Sequence, residues 1–80
     1  MIAKRIWWLS FATEKGNLGV VVVRGNTMRD AMGRAWALGI NPGGEVQGYD
    51  ITRSPKIADG SFSTTERKLS AEEIARWGGR

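Results

Sequence analysis

Two apolar stretches, Ile6-Trp7-Trp8-Leu9-Ser10-Phe11-Ala12 and Leu18-Gly19-Val20-Val21-Val22-Val23-Arg24, decide the fold. Each is rich in aromatic and β-branched residues, which suit a pleated, half-buried surface. Between them, Glu14-Lys15-Gly16-Asn17 is a turn cluster, so the pair reads as a β-hairpin. A period of two places Trp7, Leu9 and Phe11 on one face of the first strand and Ile6, Trp8 and Ser10 on the other. Both faces carry a large ring, and the unbroken valine run predicts burial on both sides of the second strand.

Outward from the hairpin, Gly25-Asn26 breaks the second strand, and Thr27 is placed as a helix N-cap with Asp30 three residues on. The spacing predicts a helix from Met28 to Leu38. At 100° per residue Met28, Ala31, Met32, Ala35, Trp36 and Leu38 fall on one apolar arc, and Gly39 suits the C′ position. Asn41-Pro42-Gly43-Gly44 fits a type II turn, and a third strand is expected over Glu45–Ile51. The prediction is one α+β domain over residues 1–80, with a core at 4–51. It consists of a three-stranded antiparallel sheet in ββαβ order covered by one amphipathic helix. Residues 52–80 form a C-terminal extension: a polar, mobile surface loop through Thr65, then a short helix. In that helix Ser70 and Glu73 make a capping box, Ile74 and Trp77 face a core or docking surface, and Gly78-Gly79 stops the run.

Eighty residues bury only about 60% of their unfolded surface, which excludes a two-domain enzyme with an interdomain cleft. Cysteine and histidine are absent, removing disulfides, thiol nucleophiles, imidazole bases and zinc-finger chemistry together. The other acid–base groups are carboxylates, lysines and Tyr49, and no pair is set by spacing at a catalytic geometry. A non-enzymatic protein without cofactor or metal is expected. Twelve basic against eight acidic side chains give a net charge of +4, which favours anionic partners. The charge is evenly spread, since residues 1–51 and 52–80 each hold six basic and four acidic groups. With no basic tail, nucleic acid is a secondary expectation. No run reaches the roughly 20 apolar residues of a membrane span, and Ile6–Leu9 is too short for a secretory core, so a soluble cytosolic protein is expected.

Gly39–Glu45 is the most site-like stretch, since glycines let backbone amides approach an anion. It follows a helix and leads into a strand, the reverse of a phosphate-binding loop, and an ordinary helix-to-strand turn is the simpler explanation. Beyond it, Glu45, Gln47 and Tyr49 alternate onto one face of the third strand. Trp8 and Ser10 lie on the face opposite the helix, where a second subunit or a planar ligand must cover the ring. Arg24, Arg29, Arg34, Arg53 and Lys56 could each meet a phosphate or simply be solvated.

The strings Trp7-Trp8-Leu9-Ser10-Phe11-Ala12 and Leu38-Gly39-Ile40-Asn41-Pro42-Gly43-Gly44-Glu45-Val46-Gln47-Gly48 resemble those of short bacteriophage proteins. The pattern, spanning residues 6–51, is similar to the Sequestin family of anti-defence proteins. The resemblance implies a protein of the host bacterial cytoplasm that binds a cyclic ADP-ribose isomer made by the Thoeris defence system and holds it uncleaved. Such a ligand asks for an aromatic platform, a phosphate contact and polar partners for ribose. Residue chemistry nominates Trp8, Ser10, Arg34, Asn41, Gly43, Gly44, Glu45, Gln47 and Arg53. A chain this short encloses a nucleotide most readily between subunits, so a homo-oligomer is expected. The competing readings are a small nucleic-acid-binding module and an inhibitor of a host protein.

Overall fold

The computed structural model describes residues 5–77. Strands β1 (Ile6–Thr13) and β2 (Gly16–Arg24) form the expected hairpin, turning at Glu14-Lys15. Its register shifts between Phe11 and Ala12, where Leu18 has no opposite number. This bulge brings Leu18 to the face that carries Leu9 and Phe11. Helix α1 (Met28–Ala37) follows, and β3 (Glu45–Asp50) then pairs antiparallel with the other edge of β1.

Both ends of α1 match the residues that predict them. Thr27 Oγ1 accepts the Asp30 N–H at 3.1 Å. At the other end Ile40 N–H donates to Ala35 O and Gly39 N–H to Trp36 O, both at 3.0 Å, with Gly39 at φ +73°. This is the Schellman arrangement that a C′ glycine allows.

The sheet has four strands, where three were expected. The fourth, β4 (Arg67–Lys68), pairs with β2 and gives the order β3-β1-β2-β4. Two residues are too few for any periodicity, and they sit in a polar stretch. Between β3 and β4 runs a single helical turn, α2 (Pro55–Ala58), and the chain ends in α3 (Ala71–Trp77). The capping box is formed: Glu73 N–H donates to Ser70 Oγ at 3.1 Å, and Ser70 N–H to Glu73 Oε1 at 3.2 Å. The expected stop at Gly78-Gly79 lies outside the described residues.

Because β1 and β2 are buried on both faces, the molecule has two apolar layers. Under α1 lie Leu9, Phe11, Val21, Val23, Ala31 and Ala35, flanked by Trp7, Met28 and Met32. Trp7 donates its indole N–H to Gly25 O at 2.9 Å, the polar partner a half-buried tryptophan needs. On the far face lie Ile6, Trp8, Val20, Val22 and Ile51, covered by Phe62, Leu69 and Trp77. The segment after Thr52 is therefore packed on the sheet and is not a loose surface loop. Its ring contacts are close: Trp8–Trp77 centroids stand 5.1 Å apart and Phe62–Trp77 4.6 Å, the latter edge-to-face.

The two surprises of packing concern tryptophans. Trp8 was expected to need a subunit or a ligand over it, but it is only 4% exposed beneath the chain's own C-terminal segment. Trp36 was expected in the core and is 72% exposed. Ala31 and Ala35, both fully buried, let α1 approach the sheet closely, so the contact arc is narrow. Trp36 and Leu38 flank that arc on opposite sides and stay outside it.

Candidate functional site

Of the polar groups predicted on β3, Gln47 and Tyr49 lie toward its Asp50 end, and Glu45 lies at the other. Tyr49 and Gln47 share a face, as a period of two demands, and the Tyr49 hydroxyl donates to Gln47 Oε1 at 3.1 Å. Ser10 lies opposite Gln47 in the β1–β3 register. Immediately after the strand the chain turns at Thr52-Arg53. Asp50 holds this turn by accepting the Thr52 N–H at 3.0 Å and the Thr52 hydroxyl. These bonds, the hydroxyl's foremost, keep the Asp50 carboxyl below its usual pKa, and Arg5 and Arg53 add to the effect. Arg5 also reaches Asp50 in an ion pair at 3.6 Å.

Two clefts meet at this turn. One, of about 530 Å³, lies between Arg5, Asp50, Thr52 and Arg53. The other, about 560 Å³, is an open cleft along Gly48–Ile51 bordered by Arg53, Ser54 and Pro55. Both volumes fall within the range of small-ligand sites. Arg53 lines both clefts, and together they join guanidinium, phenol ring, hydroxyl and exposed strand backbone in one place.

The other nominated residues lie elsewhere. Trp8 stands opposite Tyr49 in register but is buried under the aromatic cluster, so it offers no face to a ligand. Arg34 is on α1 and is committed to Glu66, with hydrogen bonds of 2.8 to 3.2 Å through Nε and Nη2. That pairing raises the Arg34 pKa and lowers that of Glu66, the side-chain hydrogen bonds contributing most in each case. Asn41 Oδ1 accepts the Gly43 N–H at 2.8 Å, so this turn uses its own amide. Gly44, at φ +80°, passes so close to β1 that a Cβ there would lie 2.6 Å from Ala12 O. A turn packed against the sheet accounts for this glycine without a ligand. With Glu45 it borders a separate cleft of about 510 Å³ beside Ala12, Thr13 and Glu14. Strand rise puts Glu45 and Asp50 roughly 17 Å apart, too far to close on one compact ligand within a chain.

Tyr49 and Arg53 are thus the centre of the candidate site. Tyr49 was visible in the sequence as part of the alternating polar face but was not nominated as a contact. Arg5, a further cleft residue, carried no sequence signal. Among the described residues no group of three acidic side chains is close enough to hold a metal ion. No helix there is long and apolar enough to cross a membrane. Comparison with protein-family models, curated proteins and solved structures finds no match to the chain.

Proposed function

We propose that the protein binds a compact anionic nucleotide of the cyclic ADP-ribose type and holds it chemically unchanged. This is the sequestering role in phage anti-defence against Thoeris that its sequence pattern suggests, exercised in the host cytoplasm by a self-associating chain. The observation that carries the reading is the Tyr49–Arg53 turn. Arg53 supplies a guanidinium that forks onto phosphate oxygens, and Tyr49 and Ser54, which line the same cleft, supply an aromatic ring and a hydroxyl suited to a nucleoside. Asp50, the carboxylate at the turn, is kept ionised by its bonds to Thr52, which suits a structural role in holding the turn.

Native mass spectrometry against a panel of nucleotide second messengers tests this directly. A cyclic ADP-ribose isomer should be retained and released intact on heating, and Arg53→Ala should weaken retention by about tenfold or more. Recovery of a cleaved product, or no adduct with any nucleotide, would sink the proposal. A second reading, inhibition of a host protein, is favoured by the exposed indole of Trp36. It predicts a stable host complex that forms without nucleotide and is lost in Trp36→Ser.

A further inference from the structure

Among the described residues, strand β3 has no strand neighbour on one edge over its six residues. On the opposite side of the sheet, β2 meets β4 at Val21 and Val22, the Leu69 N–H at Val20 O and the Glu66 carboxylate at Arg24 N–H. The hydrogen-bond phase of β3 follows from the Ile51 N–H bond to Ile6 O at 2.9 Å. Counting back in the β1–β3 register, Glu45, Gln47 and Tyr49 turn their amides toward β1. Val46, Gly48 and Asp50 turn theirs outward. An open edge of this kind is a template for another strand.

The sequence of this edge suits a second copy of itself. A two-fold axis through Gly48, perpendicular to the sheet, opposes Gly48 to Gly48 and Val46 to Asp50, so that outward amides meet outward amides through about six backbone hydrogen bonds. An axis on Gln47 or Tyr49 opposes inward-turned amides instead. An axis between two residues sets the helix face of one sheet against the far face of the other. The Gly48 register also brings complementary charge together. Glu45 falls opposite Ile51 of the copy, and Arg53 lies in the turn that directly follows Ile51. Both side chains are exposed, and neither makes a hydrogen bond or ion pair among the described residues.

We propose that β3 pairs antiparallel with β3 of a second copy about Gly48, and that each ligand site is completed across this seam. Tyr49 and Arg53 come from one chain, and the Gly43–Glu45 turn comes from the other. The two clefts that a single chain holds roughly 17 Å apart then adjoin in pairs. The nature of the ligand rests on the sequestration reading; the seam does not.

Charge reversal tests the register. Sedimentation equilibrium should show a wild-type dimer, while Glu45→Arg and Arg53→Glu should each raise the dissociation constant by about tenfold or more, because each sets like charges across both ends of the seam. Mixing the two single variants should restore a heterodimer of near wild-type affinity, since both of its ends are again complementary. Far-UV circular dichroism of each variant should match wild type, as both sites are exposed. A wild-type chain that stays monomeric at about 1 mM, or a dimer that neither reversal weakens, would overturn the seam. So would saturable binding of cyclic ADP-ribose by a wild-type monomer, which leaves sequestration standing. A dimer that obeys the charge swap but binds no nucleotide removes the sequestration reading and keeps the seam.

Discussion

Replacing Phe62 by alanine asks whether residues 52–77 are part of the fold or a cover laid over it. The ring is 9% exposed, stands edge-to-face on Trp77 at 4.6 Å and lies 6.4 Å from Trp8. Truncating a buried phenylalanine costs about 3–5 kcal/mol, partly in lost transfer energy and partly in the cavity left behind. Each aromatic pair adds about 0.5–1.5 kcal/mol beyond burial, so the upper half of that range applies. A domain of this size has roughly 4–12 kcal/mol in all. The substitution therefore removes a third or more of the total. In urea, with a slope near 1 kcal/mol per M for a small chain, the midpoint should fall by about 3 M or more. The variant should also lose near-UV circular dichroism from Trp8 and Trp77, whose rings are held 37° apart. Phe62→Leu, which keeps most of the volume, should lose less than half as much. A midpoint shift under about 0.5 M for Phe62→Ala would show that the far-face layer contributes little, and the two-layer account of the fold would fail.

Thr27→Ala removes the oxygen that caps α1 and should cost about 1 kcal/mol in chemical denaturation, with Thr27→Ser close to wild type. Gly44→Ala should destabilise by about 2 kcal/mol or more, because φ is positive and a Cβ meets Ala12 O; Gly43→Ala, which meets open space, should cost only about 1 kcal/mol. The pairing of Glu66 with Arg34 and with the Arg24 N–H gives a pH signature. Its folded pKa lies below the unfolded value, so the pairing contributes fully above about pH 4.5 and is lost as pH falls through the folded value. The gap in urea midpoint between wild type and Glu66→Gln should accordingly be widest near neutrality and shrink toward pH 3; a gap independent of pH would contradict the assignment.

Local features were legible because local chemistry sets them. The β1–β2 hairpin, the Thr27 and Ser70 caps, the C′ role of Gly39 and the placement of Trp7 on the helix face each depend on residues within a few positions of one another. What was not legible depends on long separations. The cover over Trp8 comes from Phe62 and Trp77, and Arg34 meets Glu66 across 32 positions. A two-residue strand such as β4 has no pattern to read, and helical periodicity cannot tell that Ala31 and Ala35 would narrow the contact arc and leave Trp36 outside. Site reading divided in the same way. The alternating Gln47 and Tyr49 were legible in β3, but no local pattern shows that tertiary pairing engages Arg34 with Glu66 while Arg53 lines the clefts at the end of that strand.

The order of the two apolar layers along the chain bears on biosynthesis. All of the side chains under α1 lie before residue 47, so that layer can form while later residues are still being added. The far face cannot. Trp8, Val20 and Val22 wait for Phe62, Leu69 and Trp77, the last of which follows Ile51 by 26 positions. At about 5–20 residues per second, the stretch from Val46 to Trp77 takes roughly two to six seconds to add, so the tryptophan–valine surface is the last to be covered. During that interval the surface is open to chaperones and to other nascent chains, and a messenger truncated just after Ile51 would leave it open permanently.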